Sequence, residues 1–408
     1  MTPHYLPRVV EPVLRDALAV MPVTVLTGAR QTGKSTLVRS AADTSGRTFL
    51  TLDDPTVQDR ARNAPDQLLA EGPRLTLDEV QREPSLLLAV KRAVDANRVP
   101  GQFLLTGPAN LLLLKSVAES LMGRASYVTL WPMTRREQRG LATAGIWSDL
   151  LRIDHSAWRE RIADQPSAHE PWQSLALRGG YPTPATALPS DDARRIWFDG
   201  YVRTWLERDL RDLTAIDRLP DFRRLMTATA LRVGGIQQQA NMARELGMPP
   251  TTVQRYLDVL EMSYQLLRIP AYSVNRTKRL IKSPKLYWSD TGVAMHLAGE
   301  STPRGAHLEN LVATDLCAWA DTQGMRASIL HWRTTKGAEV DFVIETAQRV
   351  LPIEVKASSR VGTSDARHLE SFLDEYASHA QAGLLMYDGP ETFWLTRRVL
   401  VAPWWKLM

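Results

Sequence analysis

The sequence predicts an α/β protein of several domains, with a parallel-sheet core, a helical middle and a second α/β unit. Its 408 residues exceed what one hydrophobic core usually organises. Short apolar strands alternate with helical patterns over the first 130 or so residues, and the alternation resumes after residue 304. Between these two parts the pattern is helical. These changes of pattern divide the chain into residues 1–140, 141–219, 220–298 and 299–408.

The individual elements follow from the same patterns. The N-terminal strands are apolar runs typical of a buried parallel sheet: VTVLTG (23–28), RTFLTLDD (47–54), RLTLDEV (74–80) and QFLLTG (102–107). WFDGYVRTWLERDLRDL predicts a helix, and the prolines at 166, 171, 182, 184 and 189 predict a loop before it. Residues 237–262 predict two short helices. A helix from residue 304 and the strands HWRTT, AEVDFVIE, RVLPIEVKAS and AGLLMYDG predict the last unit.

The composition favours a globular protein of the cytoplasm. The chain is 44% hydrophobic and 23% charged, with a net charge of +5, which indicates nucleic acid only where the cations cluster. The single cysteine, Cys317, excludes an intrachain disulfide and agrees with a reducing compartment. No apolar run approaches the roughly 18 residues of a membrane-spanning helix, and the first residues lack the apolar segment of a secretion signal. We therefore expect a cytoplasmic protein without a membrane partner.

Residues 28–35, GARQTGKS, match the phosphate-loop pattern G-x-x-x-x-G-K-[ST] at every required position. Gly28 and Gly33 allow backbone N–H groups to wrap phosphates, Lys34 reaches the β- and γ-phosphates, and Ser35 holds Mg²⁺. A strand precedes the loop and a helix follows it, which favours this interpretation over an ordinary glycine-containing turn. The predicted ATP-binding residues are Gly28, Ala29, Arg30, Gln31, Thr32, Gly33, Lys34, Ser35, Thr36 and Asp78.

Two adjacent carboxylates end the strand LTLDE. Asp78 is predicted to hold Mg²⁺, directly or through water, and Glu79 to polarise the attacking water as the catalytic base. Adjacent acids at a strand end are often only a solvated loop, but the complete phosphate loop favours the catalytic interpretation. In LLTGPAN, Thr106 and Asn110 are predicted to sense the γ-phosphate, although an ordinary strand-to-turn sequence explains them about as well.

These motifs resemble the AAA+ ATPases, and more narrowly the family that joins such a module to a C-terminal region called DUF4143. The resemblance covers nearly the whole chain and includes GRASYVTLWPMTRREQ, RGGYP at 178–182, YVRTWLERDLRDL and KSPKLYWSDTG. It implies an AAA+ core over residues 1–140 and a helical lid region over 141–219. It also implies a homo-oligomer, such as a hexameric ring, in which a neighbour's arginine completes the ATP site. Arg124, Arg203, Arg208 and Arg211 are candidates, and surface ion pairing is the alternative role for each.

The segment IQQQANMARELGMPPTTVQRYLDVLEM has a tight turn at Gly247 between two helices, and the resemblance implies a winged-helix-like domain over residues 220–298. The second helix offers only Gln254 and Arg255 as base readers, which does not favour sequence-specific recognition. Cations cluster in the following segment, where they would contact DNA backbone or junction shape. A solvated basic hairpin is the alternative. The predicted DNA contacts are Arg276, Lys278, Arg279, Lys282 and Lys285.

The last unit carries charged residues inside apolar strands. Glu354 and Lys356 lie two positions apart in RVLPIEVKAS and therefore face the same side of a strand. Asp341 lies in the apolar strand AEVDFVIE, and Glu309 precedes the apolar face of a helix. Three converging carboxylates would raise one another's pKa unless a cation neutralised them. Oxygen ligands of this kind suit Mg²⁺ or Mn²⁺.

This layout resembles the PD-(D/E)xK nucleases, which implies an α/β restriction-endonuclease-like domain over residues 299–408. By that resemblance Glu309, Asp341 and Glu354 bind metal and Lys356 serves the nucleophile, while Val340 stands at the position of the motif's proline. Two alternatives stay open. The module could fold like a nuclease and only bind, or the charges could form a structural ion-pair cluster.

Taken with ATP and Mg²⁺ as cofactors, these features predict an ATP-hydrolysing motor on branched or damaged DNA with a metal-dependent endonuclease site. A nucleotide-dependent regulatory switch is one alternative, and a low turnover unaffected by DNA would favour it. A non-cutting translocase or branch-migration motor is the other. DNA-stimulated ATP hydrolysis without cleavage under any divalent metal would favour that interpretation.

Overall fold

The N-terminal unit is built on a five-stranded parallel sheet. The computed structural model of the chain describes residues 5–41, 44–107, 121–166, 168–204, 216, 218–324 and 327–408. The strands are β1 (Val23–Thr27), β2 (Thr48–Thr51), β3 (Leu75–Asp78), β4 (Phe103–Thr106) and β5 (Ala125–Thr129), in the order β2-β3-β4-β1-β5. Every residue of β1, β3 and β4 is buried, which explains their continuous apolar runs. The predicted ATPase core is confirmed, and β5 adds a strand that was not predicted.

Of the described helices, five pack on the two faces of this sheet, and a sixth, short helix follows β5. They are α1 (Glu11–Val20), α2 (Lys34–Ser40), α3 (Pro55–Asn63), α4 (Pro65–Leu69), α5 (Leu86–Ala96) and α6 (Arg135–Gln138). In α1 the buried residues Leu14 and Leu18 pack in one cluster with Leu26 of β1 and Leu37 of α2. The loop between β1 and α2 is therefore held between two packed elements.

The region predicted as a helical lid contributes to two different cores. It contains α7 (Trp147–Arg152), α8 (Trp158–Ala163), α9 (Trp172–Arg178), a π-helical turn (Thr183–Ala187) and α10 (Asp191–Thr204). Tryptophans of α7, α8 and α9 pack against the C-terminal sheet, whereas Phe198 and Tyr201 of α10 pack against the domain that follows. The predicted proline-rich loop is wrong in part, because Pro182 and Pro184 lie at the start of the helical turn. Proline is tolerated there since the first N–H groups of a helix have no partner within it.

The middle domain is a helical unit that contains a two-stranded hairpin. Its elements are α11 (Leu219–Ala230), α12 (Gln239–Leu246), α13 (Pro250–Met262), β6 (Leu266–Ile269), α14 (Arg276–Ile281), β7 (Lys285–Trp288) and α15 (Thr291–Ala298). Gly247 ends α12 with a φ of 64°, which makes the tight turn before α13. β6 and β7 pair antiparallel, with Ile269 opposite Lys285. The two predicted helices are therefore present and are followed by a hairpin.

A six-stranded mixed sheet forms the C-terminal unit. Its elements are α16 (Gly305–Ala320), β8 (Ser328–Arg333), β9 (Glu339–Glu345), β10 (Val350–Lys356), α17 (Arg367–Glu375), β11 (Gly383–Tyr387), β12 (Phe393–Trp394), β13 (Val399–Pro403) and α18 (Trp404–Leu407). The strand order is β12-β13-β11-β10-β9-β8. One face, with Leu384 and Met386, packs on α16, and the other, with Leu385, packs on α17. The predicted second α/β unit is confirmed.

In the part of the chain that the structure describes, none of the helices combines the length and the apolar composition that a bilayer crossing requires.

Candidate functional site

The phosphate loop has a backbone that only glycine accommodates at its first position. Gly28 has a φ of 138°, and a Cβ added there would lie 2.3 Å from the carbonyl oxygen of Leu130. Gly33 has a φ of 96° and begins α2. Both conformations are ones that side chains with a Cβ rarely adopt. The loop is therefore shaped before any ligand arrives.

Lys34 lies over this loop. Its side chain is buried, and Nζ donates to the carbonyl oxygens of Gly28 and Ala29 at 3.1 and 2.7 Å. The hydroxyl of Thr32 also donates to Ala29, at 3.0 Å. An ammonium held by neutral carbonyls can exchange them for phosphate oxygens, which bind it more strongly because they are charged. Of the remaining predicted loop residues, Arg30 is half-buried, and Gln31 and Thr36 are exposed.

A polar cluster at the carboxyl ends of β3 and β4 contains the predicted magnesium ligands. Ser35 Oγ donates to Asp78 Oδ1 at 3.0 Å, and Thr51 donates to Asp78 Oδ2 at 3.4 Å. Thr106, predicted as a sensor, also donates to Asp78 Oδ1. The half-buried hydroxyl of Ser35 beside the buried carboxylate of Asp78 is a donor set that fits Mg²⁺. Asn110, the other predicted sensor, lies outside the described residues.

Glu79 begins a short 3-10 turn in an unusual backbone conformation. Its φ of 58° and ψ of 43° are left-handed, which is uncommon for a residue other than glycine. Its backbone N–H donates to Thr106 Oγ1 at 3.3 Å, and its carboxylate accepts from Gln81. Such strain is maintained only when the surrounding structure fixes it. This conformation ends the extended course of β3 at Glu79, next to the polar cluster around Asp78.

Arg8 forms a hydrogen bond to the backbone of the phosphate loop. Sequence reasoning missed this residue. Its guanidinium donates to the carbonyl oxygens of Thr32 and Trp131 at 2.9 and 2.7 Å, and to Glu137 Oε1 at 3.1 Å. Arg8 and Glu137 are both buried. No motif surrounds Arg8 in the sequence, so nothing local indicates this role.

The segment RGGYP joins the loop to the middle domain. Tyr181 shares an apolar cluster with Ala29, and the ring of Pro182 is 3.6 Å from a Cβ built at Gly33. Asp290 Oδ2 accepts from the backbone N–H groups of Gly180 and Tyr181 at 2.6 and 3.2 Å. Asp290 is the N-cap of α15, two residues after the end of β7. The nucleotide loop and the hairpin of β6 and β7 are therefore linked through one buried carboxylate.

Two of the four candidate arginines for a shared ATP site can be placed. Arg124 donates to both oxygens of Asp95 at 2.6 and 2.9 Å, and Arg203 lies 3.2 Å from Asp199. Arg208 and Arg211 fall outside the described residues. Within one chain, the two placed arginines form surface ion pairs.

Three carboxylates of the C-terminal unit contact one buried lysine, and a fourth, Glu354, lies near one of them, Asp341. Glu309 on α16, Glu339 and Asp341 on β9, and Glu354 on β10 form what we call the carboxylate cluster. Lys285 of β7 has a side chain that is 1% exposed, and its Nζ lies 2.8 Å from Glu339, 2.9 Å from Asp341 and 3.4 Å from Glu309. Lys285 and Glu339 were not among the predicted members of this cluster, but Glu309, Asp341 and Glu354 were.

Glu354 and Lys356 face the same side of β10, as their spacing predicts. Lys356 Nζ donates to Glu354 Oε1 at 2.9 Å. Next to them the ladder between β9 and β10 ends at the Phe342–Ile353 pair, and Asp341 Oδ2 accepts from the N–H of Val355 at 2.9 Å. Glu354 Oε2 is buried and has no hydrogen-bond partner within the described residues.

Burial and mutual repulsion perturb the acids of this cluster. Burial, then the negative charge of Asp341, raises the pKa of Glu309 to about 7 and that of Glu354 to about 8, although Lys285 and Lys356 oppose the shift. Burial alone would lower the pKa of Lys285, but the charges of Asp341, Tyr287, Glu309 and Glu339 raise it well above its ordinary value. Lys285 is therefore fully charged at neutral pH.

The carboxylate cluster as it stands does not fit a divalent metal. Within the described ranges, no three His, Cys, Asp or Glu side chains are arranged to hold an ion. The ammonium of Lys285 lies among the carboxylates that were predicted to bind Mg²⁺ or Mn²⁺. Its positive charge repels a second cation at the same place.

The predicted DNA contacts divide into exposed and buried cations. Residues 274–282, which we call the hairpin tip, connect β6 to β7 and expose Arg276, Lys278 and Lys282. Arg279 instead pairs with both oxygens of Glu345 at 2.6 and 2.7 Å, and Lys285 points inward. A strand whose four residues are all buried turns Lys285 into the protein, so the prediction that it contacts DNA does not fit this structure.

Family models match three successive parts of the chain. A model described as an AAA domain matches residues 21–138, a domain of unknown function named DUF8612 matches residues 169–304, and DUF4143, also of unknown function, matches residues 304–407. The uncharacterised protein Rv2008c of Mycobacterium tuberculosis is 31% identical over 400 residues, which cover 96% of this chain and 82% of that protein. The uncharacterised protein Mb2031c of Mycobacterium bovis matches with the same identity and coverage.

Solved structures are more distant. The Walker-type ATPase PABY2304 of Pyrococcus abyssi aligns with 70% of this chain and 94% of its own, at 16% identity and a TM-score of 0.44. The Holliday junction branch migration motor RuvB of Thermotoga maritima aligns with 67% of this chain and 94% of its own, at 18% identity and a TM-score of 0.29.

Proposed function

The chain belongs to the family of AAA-domain ATPases with a C-terminal DUF4143 region, and from that premise we propose that it hydrolyses ATP at its phosphate loop. The observation that carries the proposal is the hydrogen bond between Ser35 and Asp78, at 3.0 Å, beside a loop that Lys34 already covers. A strand end and a helix start, 43 residues apart, meet where a phosphate-loop ATPase needs them.

Each of these residues has a distinct role. The N–H groups of residues 28–33 and the ammonium of Lys34 bind the phosphates, and Ser35 and Asp78 hold Mg²⁺. The metal, when bound, neutralises charge that develops on the phosphate oxygens. Glu79 orients the attacking water and accepts its proton, and its neighbour Thr106 fixes the backbone that carries it.

Two substitutions test this assignment. Lys34→Ala should abolish ATP binding and turnover because the phosphates lose their compensating charge. Glu79→Gln should keep ATP bound and reduce kcat by about 100-fold or more, since an amide cannot accept the proton. Nucleotide affinity and steady-state phosphate release measure the two effects, with Lys91→Ala and Glu71→Gln of the same core as controls. Parental turnover in Glu79→Gln would remove Glu79 from the mechanism.

The finer proposal is that the ATPase acts on DNA, which it grips at the hairpin tip. The three exposed cations Arg276, Lys278 and Lys282 can neutralise phosphates without reading bases. Leu280 and Ile281, exposed at 85% and 82%, lie among them and can contact unstacked bases. This surface therefore suits recognition of the DNA backbone and its shape better than recognition of base sequence.

The DNA proposal predicts a steep loss of affinity with salt. Arg276, Lys278 and Lys282 reversed to Glu should weaken binding to duplex, single-stranded, forked and four-way DNA to a similar extent, with basal ATPase intact. Reversal of Arg159, Arg367 and Arg397, three exposed arginines on other surfaces, makes the same charge change and is the matched control. Equal affinities of the two triple variants would exclude the hairpin tip as the contact.

A metal-dependent endonuclease in the C-terminal unit is a second candidate function. It is favoured by Asp341, Glu354 and Lys356 lying together where β9 and β10 part. The test is cleavage of the same DNA panel with ATP and Mg²⁺ or Mn²⁺, scored separately from unwinding. Asp341→Asn should eliminate any cleavage and leave ATP hydrolysis at the parental rate. If DNA stimulates ATP hydrolysis but no cleavage occurs with either metal, the result would favour a non-cutting motor.

We also propose that the active form is a homo-oligomer, on the basis of the family resemblance. Arg203 is the better-placed candidate for a shared ATP site, because its side chain is 69% exposed whereas that of Arg124 is 24% exposed. Light scattering with and without ATP should show assembly. Arg203→Ala should lower kcat with nucleotide affinity unchanged, whereas Arg124→Ala should change neither.

A further inference from the structure

We propose that Lys285 occupies the cation position of a latent divalent-metal site and keeps metal out of it. The inference concerns the carboxylate cluster, and it rests on the second candidate function only for the kind of chemistry that the exposed site would support. Metal binding to the carboxylate cluster can be measured whether or not the protein cleaves DNA. The two ideas can therefore fail separately.

The charge of the cluster requires a cation at this place. Four carboxylates lie together, and Asp341 and Glu354 are buried. Buried carboxylates need a compensating charge or a proton. Lys285 supplies that charge to three of them through contacts of 2.8 to 3.4 Å. A lysine that is 1% exposed is rare unless it is paired, so the lysine and the acids depend on one another.

The donor set is one that a hard divalent ion prefers. The side chains around the Lys285 ammonium are the carboxylates of Glu309, Glu339 and Asp341 and the hydroxyl of Tyr287. Oxygen ligands of this kind suit Mg²⁺ or Mn²⁺. Glu354 Oε2 is buried with no hydrogen-bond partner within the described residues, so the cluster holds one oxygen that Lys285 leaves unsatisfied. Metal–oxygen bonds are about 2.0–2.1 Å for Mg²⁺, shorter than the present contacts to nitrogen. A metal would therefore draw the carboxylates inward after the ammonium has left.

Lys285 does not belong to the unit that it neutralises. It begins β7 of the middle domain, and β7 is held by β6 and by hydrogen bonds between Leu286 and residues Gly234 and Gly235, at 2.8 and 2.9 Å. The cluster is therefore closed by a residue from a neighbouring domain. Lys285 also follows the exposed hairpin tip by three residues. The backbone of β7 is also bonded to the C-terminal unit, because the side-chain amide of Asn310 on α16 pairs with the N–H and the carbonyl oxygen of Trp288, both at 2.7 Å. Lys285 is therefore fixed at the boundary between the two units.

A fixed structural ion pair is the competing account, and Mn²⁺ binding separates the two. The experiment uses the full chain, nucleotide-free, with the variant Lys285→Met, which keeps the side-chain length and removes the charge. We expect Lys285→Met to bind Mn²⁺ at least about tenfold more tightly than the parent by calorimetry. We also expect Mn²⁺ to raise the Tm of the variant while leaving that of the parent unchanged, because metal that binds only the folded state stabilises it.

Two controls assign the gain to this cluster. Lys356→Met makes the same substitution at the other lysine of the cluster and should not increase Mn²⁺ affinity, since Lys285 remains in place. Asp341→Asn added to Lys285→Met should abolish the gain. Lys285→Met that folds and binds Mn²⁺ no better than the parent overturns the inference. If Lys285→Met binds Mn²⁺ but does not cleave DNA, the latent metal site is supported and the endonuclease function is rejected.

A variant that removes the ammonium from Glu309, Glu339 and the buried Asp341 can fail to fold. Glu339→Gln combined with Lys285→Met removes one repelling charge and keeps Glu309, Asp341 and Glu354, and the same measurements apply to it. If neither variant folds alone, refolding with and without Mn²⁺ becomes the test. Recovery only with Mn²⁺ supports the latent site, and failure of both variants to recover with Mn²⁺ contradicts it.

Discussion

The phosphate loop and the carboxylate cluster each bury a lysine among oxygen atoms, but the two lysines have opposite partners. Lys34 donates to the neutral carbonyls of Gly28 and Ala29. Lys285 donates to carboxyl groups on two elements, Glu309 on α16 and Glu339 and Asp341 on β9. A neutral carbonyl is easily exchanged for a phosphate oxygen, whereas a carboxylate holds an ammonium strongly in a buried site. Lys34 is therefore available to bind a phosphate ligand, whereas Lys285 is already paired with its counter-ions.

The largest effect is expected at the backbone of the phosphate loop. Gly28→Ala should weaken ATP affinity by more than about 100-fold, because its Cβ would lie 2.3 Å from the Leu130 carbonyl oxygen and the residue has a φ of 138°. Gly46→Ala is the matched control, with a φ of 75° and open space around its Cβ. Nucleotide titration compares the two. If both variants bind ATP alike, the loop does not need the close approach of its backbone to Leu130.

The second prediction compares the two lysines directly. Lys285→Met should lower the free energy of unfolding by about 3–5 kcal/mol, since one cation is removed from buried carboxylates. Lys34→Met should cost about 1 kcal/mol, which is the usual contribution of hydrogen bonds to neutral acceptors. Urea denaturation without nucleotide or metal measures both. Equal losses would show that the two sites do not differ in how they hold their lysine.

The proximity of Ser35 and Asp78 could be predicted from the sequence because the parts of the first site are local or lie at predictable strand ends. Residues 28–35 form one contiguous motif, and the ends of parallel strands meet, which brings Asp78 to Ser35. Arg8 was missed because its contact with Thr32 joins residues 24 apart with no motif at either end. The basic run that ends at Lys285 predicts a DNA contact there, but the structure buries this lysine. The available signal was the apolar strand that it begins, which is buried at all four positions.

A third prediction asks whether a buried acid without a lysine behaves differently from those around Lys285. Asp315 on α16 is buried and accepts from Trp147 Nε1 and the N–H of Gly145 at 2.7 and 2.9 Å. Burial, opposed by these hydrogen bonds, raises its pKa from 3.8 to about 6. The folded state therefore disfavours the ionised form, and stability is lost as the pH rises from about 4 through 6.

Asp315→Asn removes this titration. The parent should lose on the order of 2–3 kcal/mol relative to the variant between pH 4 and pH 7. Thermal or urea denaturation at a series of pH values gives the difference at each point. A difference that stays constant across this range would mean that Asp315 is ionised in the folded protein at little cost, and that burial alone does not decide the behaviour of acids on α16.

The smallest effect is expected at the support of the loop. Arg8→Lys keeps the positive charge near Glu137 but loses the fork that reaches the carbonyls of Thr32 and Trp131 together. Each lost hydrogen bond contributes about 1 kcal/mol, so ATP affinity should fall by roughly 5- to 10-fold. Arg47→Lys is the control, because Arg47 donates to Leu75 and Gly101 at the opposite end of the sheet. Arg47→Lys should lower the free energy of unfolding by a similar amount and leave ATP affinity unchanged. A parallel fall of ATP affinity in both variants would assign the effect to the whole sheet, and Arg8 would then have no particular role in shaping the loop.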